Sequence, residues 1–161
     1  MAGQTGSTDL TGIAGGAQAV KSTITDAFVS RRSASLTSCS LDIDRDNAVR
    51  ASTDGLLILR RMLGLSGSAL IANAVNPSGS QTGAVDIANA IDAMLATQAL
   101  DLDGSGGTAN PASDGLMLLR AMLGFTGTAV TVGAISGSPP RNTWALIQPY
   151  LNRNCGTSFL P

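Results

Sequence analysis

The sequence predicts an all-α fold: two tandem loop–helix repeats packed as a small helical domain, preceded by an N-terminal arm carrying a helix. Three observations predict it. Two stretches of the chain repeat each other. Each runs from an aspartate-rich loop into a short apolar helix, and each of those helices stops at a glycine suited to a left-handed C-cap.

The first stretch reads LDIDRDNAVRASTDGLLILRRMLGLSGSA from Leu41, and the second LDLDGSGGTANPASDGLMLLRAMLGFTGTA from Leu100. Between Asp54–Ala69 and Asp114–Ala129, ten of sixteen positions are identical. The offset is 59 residues at Asp42/Asp101 and 60 at Asp54/Asp114, so the second loop is one residue longer. The first helix of each unit is expected over Leu56–Leu63 and Leu116–Leu123, ending at Gly64 and Gly124. In the first of these, Leu56, Leu57, Ile58, Leu59, Met62 and Leu63 leave only Arg60 and Arg61 for water, so the helix reads as central. Arg60 and Arg120 lie near the C-terminal ends of their helices, where a cation suits the dipole. After a Gly/Ser/Thr-rich connector, closing helices are expected at roughly 85–96 and 143–152, the latter kinked or shortened by Pro149.

Residues 1–38 fall outside the repeats. The first sixteen read as a flexible arm and Ala17–Val29 as a helix, with Ala17, Val20, Ile24 and Phe28 on one face. The expected organisation is an arm over 1–38, a two-repeat domain over 39–155 (repeats about 41–95 and 100–151) and a tail over 156–161.

Composition narrows the function. The chain has 161 residues, 43% of them hydrophobic but only 3% aromatic, enough for a core built on small side chains. A net charge of −1 implies no basic face, so nucleic acid is not an expected partner. No apolar run approaches the ~18 residues that a membrane span needs. There is no histidine, which removes the usual zinc sites and catalytic triads. All eleven acidic residues are aspartate, a residue of caps, turns and metal loops. Seven of them fall in two windows: Asp42, Asp44, Asp46 and Asp54, then Asp101, Asp103 and Asp114.

In the first loop Asp42, Asp44 and Asp46 hold positions 1, 3 and 5. Carboxylates on alternate residues of a tight turn converge and repel, and a hard divalent cation answers that repulsion. Calcium tolerates an irregular oxygen cage best. The carbonyl of Ala48 is the next expected ligand, Asp54 closes the site, and Asn47 takes the turn because Asn tolerates positive φ. In the second loop Asp101, Asp103 and Ser105 hold those positions, Gly106 takes the turn, the Gly107 carbonyl follows, and Asp114 closes. With one carboxylate fewer, this second site is expected to bind more weakly. Asp54 and Asp114 also read as helix N-caps, a role compatible with ligation. Arg45 and Arg50 inside the first loop either offset its charge or mark a degraded site.

DIDRD and DLDGS, each followed by DGL-x-x-LR-x-MLG, resemble the duplicated calcium loop–helix units of dockerin domains. The resemblance covers residues 41–69 and 100–129. It is closer to the dockerin-like repeats at the ends of secreted bacterial proteins, in which a Cys precedes the loop and NTW…YL…CG follows. Here those are Cys39, Asn142-Thr143-Trp144, Tyr150-Leu151 and Cys155-Gly156. It implies Ca2+ at both loops. The chain departs from the family in placing its closing acids at loop positions 13 and 14 rather than 12, which requires a bulge. Each unit is also about twice as long, and no cohesin-recognition residues can be placed.

Cys39 and Cys155 flank the repeat pair. A disulfide would tie its ends together and agree with an oxidising, calcium-rich compartment, the alternative being two free thiols. The expectation is a secreted or cell-surface, non-enzymatic calcium-binding module. Its contacts are either with a protein partner or with further copies through the N-terminal arm, as in an extracellular filament or sheath. A true dockerin binding a cohesin-like partner is a third reading.

Overall fold

The computed structural model describes residues 2–5, 26–29 and 39–161. The chain forms two compact units, residues 1–34 and 35–161. In the first, strands β1 (Ala2–Thr5) and β2 (Asp26–Val29) pair antiparallel, with Ala2 opposite Val29 and Thr5 opposite Asp26. This corrects two expectations. Residues 2–5 are a strand rather than loose arm, and the helix expected over 17–29 does not include its last four residues; residues 17–25 lie outside the described residues. The physical reason is local: a short helix is marginal without packing, whereas the Phe28-Val29 end suits a strand.

The second unit is all-α. Its described helices are α1 (Leu56–Met62), α2 (Gly67–Ile71), α3 (Ala84–Ala96), α4 (Leu116–Met122), α5 (Thr128–Thr131) and α6 (Trp144–Cys155). Helices α1 and α4 are each entered through one wide π-type turn, Ala51–Gly55 and Pro111–Gly115. The Gly55 and Gly115 amides donate to the carbonyls of Arg50 and Asn110, five residues back, each at 3.1 Å. Both helices end as their glycines predict. The Gly64 and Leu65 amides reach back to Arg61 and Arg60, and Gly124 and Phe125 do the same to Ala121 and Arg120.

The core joins both halves. It buries Leu57 and Ile58 of α1, Ile87, Ile91 and Met94 of α3, Met117 and Leu118 of α4, and Trp144, Ile147 and Leu151 of α6. Helices α1 and α4 approach each other reciprocally through their entry glycines. A Cβ on Gly55 would lie 3.0 Å from Met122 Sδ, and one on Gly115 would lie 2.9 Å from Leu59 Cδ1. The apolar stripe is narrower than expected at its end, because Leu63 and Leu123 are 59% and 60% exposed. Each caps its helix beyond the reach of the facing one.

The stretches read as connectors hold the short helices α2 and α5. They carry only one buried anchor each, Leu70 and Val130, too little for a periodic pattern. Their last carbonyls explain Arg60, which was expected to face water, and its counterpart Arg120. Arg60 Nη1 donates to Leu70 O and Ala72 O at 3.0 and 2.7 Å, and Arg120 Nη1 to Val130 O and Val132 O at 3.0 and 2.8 Å. Arg61 makes a two-pronged pair with Asp92 of α3, both contacts at 2.7 Å.

Pro149 lies inside α6 without ending it, and the helix runs on to Cys155. Packing of Trp144, Ile147 and Leu151 in the core holds the helix across the proline. The residues after it fold back along the helix: Trp144 Nε1 donates to Leu160 O, and Gln148 Nε2 and Asn152 Nδ2 to Phe159 O. Cys39 and Cys155 are joined in a disulfide. Among the described residues no helix is long and apolar enough to cross a membrane.

Candidate metal centre

The sequence that builds each loop alternates apolar and acidic residues. Leu41 and Ile43 of the first loop, and Leu100 and Leu102 of the second, are fully buried in the core. Because neighbouring side chains point opposite ways along extended chain, burying the apolar set drives Asp42, Asp44, Asp101 and Asp103 together on the other side. Asp42, Asp44 and Asp46 each bring an oxygen within 4.8 Å of the others, and so do Asp101, Asp103 and Asp114. Either triad can hold a metal ion.

Within the triads the position-1 aspartates shape the loops. Asp42 accepts from the amides of Asp46 and Asn47 at 3.1 and 3.0 Å, and Asp101 from those of Gly104 and Gly106 at 2.9 and 3.1 Å. The turn residues take the expected positive φ, 66° at Asn47 and 81° at Gly106; Arg45, at 57°, does so unannounced by sequence.

Asp44 is the residue least explained by the protein alone. Its side chain is completely buried. Oδ2 accepts from the Asn76 amide at 2.7 Å, while Oδ1 has no hydrogen-bond partner among the described residues. Burial, reinforced by the carboxylates of Asp54 and Asp46, pushes its pKa up from the ordinary value. A buried carboxylate oxygen without a donor carries a desolvation penalty of roughly 1–3 kcal/mol or more. It stands among carboxylates, where a hard cation would be the matching partner. Asp46 is in the opposite condition. Hydrogen bonds from Asn76 Nδ2 (2.6 Å) and from Arg50 hold its carboxyl below the usual range. Arg50 therefore offsets charge in the loop, and Arg45 remains exposed.

Asp54 and Asp114 occupy the same place in the two halves. Asp54 Oδ1 accepts from Ile43 N (2.7 Å) and Asp44 N (3.4 Å), and Oδ2 from Arg50 N (2.9 Å) and Thr53 Oγ1 (3.0 Å). Asp114 accepts from Leu102 N, Asp103 N, Asn110 N and Ser113 Oγ at 2.8, 3.3, 2.8 and 3.3 Å. Both carboxylates pin the loop to the wide turn at the helix entrance. That turn winds up the residues that separate these acids from a twelve-residue spacing. Neither acts as a simple N-cap; in the second half that role falls to Asn110, whose side chain accepts from Ala112 N. Asp114 also joins the second triad, and burial raises its pKa. Asp54 stands outside the first triad.

The remaining predicted ligands are less committed. Ala48 donates its amide to Asp46 Oδ1, the Ser105 side chain is exposed with its amide on Asp103 Oδ1, and the Gly107 carbonyl accepts from Gln98 Nε2 at 3.3 Å. Sequence reasoning missed the groups that reach the loops from downstream. Asn76, Gln81 and Arg141 arrive from connectors more than thirty residues away. The sequence marks these stretches only as turns, by Asn-Pro and Ser-Gly at 76–79 and by Pro-Pro at 139–140.

No protein family, curated protein or solved structure matches the chain.

Proposed function

We propose that the protein is a calcium-binding, non-enzymatic structural or interaction module of the extracellular space, in which Ca2+ completes the fold of two dockerin-like loops. The observation that carries this reading is the buried, unpartnered Oδ1 of Asp44 beside the carboxylates of Asp42 and Asp46. Asp42, Asp44 and Asp46 would hold one ion, and Asp101, Asp103 and Asp114 a second. The ion supplies the positive charge that the converging carboxylates lack. The disulfide supports an oxidising compartment. The non-enzymatic reading rests on the chain's lack of His and Glu and on the use of its clustered carboxylates in loop architecture.

Thermal unfolding in millimolar calcium and in EDTA, with metal content measured by mass spectrometry, tests the proposal. Two calcium ions per chain and a higher midpoint with calcium are expected, because a ligand that binds only the native state stabilises it. The absence of bound calcium and of any shift would leave the aspartates as loop-building residues only.

A further inference from the structure

The two loops are clamped from outside by different chemistry. The stretch between α2 and α3 lies against the first loop. There Asn76 donates its amide N–H to Asp44 Oδ2 at 2.7 Å and its side-chain Nδ2 to Asp46 Oδ2 at 2.6 Å. Farther along, the Gln81 amide donates to Asp44 O and its Nε2 to Ile43 O. Gly79 sits so close that a Cβ would lie 2.4 Å from Asp44 O. Two of the triad's three carboxylates are thus held by one residue that is not part of the loop.

The stretch between α5 and α6 meets the second loop through hydrogen bonds from Arg141. Its amide donates to Asp103 O at 2.8 Å, Nε to Leu102 O at 2.7 Å, and Nη2 to Asp101 O. All three acceptors are backbone carbonyls. The guanidinium also lies over the Tyr150 ring, 3.9 Å from its centre, so this clamp is made without the carboxylates.

Resting on the calcium reading above, we infer that the segment 76–81 is part of the first cation site and is latched by it, whereas the Arg141 clamp is permanent. Asn76 is a positioning residue. Its two donors hold Asp44 and Asp46 by one oxygen each, and at Asp44 they leave Oδ1 free for the ion. Outer hydrogen bonds of this kind set ligand orientation, and their loss typically lowers metal affinity about 10–100-fold. The coupling is reciprocal: whatever the segment contributes to cation affinity, the cation returns as order in the segment. The protein then has one calcium-responsive connector and one fixed connector.

Titration calorimetry with calcium, together with amide hydrogen exchange on the full chain, tests this. Asp101→Asn isolates the first site, and Asp44→Asn isolates the second. Added to the first background, Asn76→Ala removes the Nδ2 donor to Asp46 and is expected to weaken binding about tenfold. Gly79→Ala, whose Cβ would force the whole segment off the Asp44 carbonyl, is expected to weaken it at least as much. Added to the second, neither changes it. In the unmodified protein, calcium is expected to slow exchange at Asn76 and Gln81 and to leave Arg141 unchanged. The latch is overturned if the first site keeps its affinity in both variants, or if exchange at 76 and 81 ignores calcium while two ions bind. A protein that binds no calcium at all removes the parent reading instead, so the two failures are distinguishable. The exchange experiment needs no substitution and holds even where a variant fails to fold.

Discussion

At the scale of single residues, the aspartates divide into two kinds that spacing alone does not separate. Asp54 has each carboxylate oxygen engaged by donors from its own chain, including the amides of Ile43 and Arg50. Asp44 has one oxygen that nothing among the described residues satisfies. Opposite responses to calcium follow. Asp54→Ala strands buried amides and is expected to cost on the order of 3 kcal/mol with or without calcium, about 6–12 °C in the unfolding midpoint of a chain this size. Asp44→Asn removes a buried charge and retains an acceptor for the Asn76 amide. It is expected to unfold in EDTA at or above the midpoint of the unmodified protein, and to gain less from calcium than that protein does. Parallel unfolding curves of both variants in the two buffers check this. An Asp44→Asn loss as large in EDTA as in calcium would show that its charge already has a partner within the protein.

At the scale of elements, the repeated Asp-Gly step shows which features a single sequence exposes. The helix over 56–62 and its twin were legible because apolar residues and a terminal glycine are local signals. The glycines at 55 and 115 were visible as a repeat but without a reason, because the reason is the facing helix. The same limit hid α2 and α5, each of which is held by one buried residue and by an arginine from the preceding helix. It also hid why α6 runs on past Pro149 rather than stopping short: core packing outweighs the local penalty. Gly115→Ala tests the close approach. In an open helix this change gains about 1 kcal/mol. Here the new Cβ would meet Leu59 Cδ1 at 2.9 Å and Met62 Sδ at 3.3 Å, and overpacking costs roughly 1–3 kcal/mol. A net loss of about 1 kcal/mol is expected by denaturant titration. A net gain would mean that the two helices have slack at this crossing.

At the scale of the whole molecule, two devices work on different states of the chain. The triads were legible from Asp spacing. The clamps that complete them were not, because Asn76 and Arg141 meet their loops only once the helices that intervene within each half have folded. The cysteines were legible as a flanking pair, and the structure joins them across 116 residues. A bridge of that span limits the unfolded chain and is expected to contribute on the order of 4–5 kcal/mol in the chain-entropy account. Calcium would act on the native state instead, through carboxylates brought together only by folding. If the bridge acts through the unfolded chain alone, its loss and the loss of calcium are additive. Cys39→Ser/Cys155→Ser is then expected to lower the midpoint by a similar amount in calcium and in EDTA. Its native state should keep the calcium affinity of the unmodified protein in titration calorimetry. Cys39 stands only three residues before Asp42, so the contrary result has a definite meaning: weaker calcium binding in the double variant would show that the bridge also holds the first loop in its ligating shape, and that reduction would release cation as well as chain.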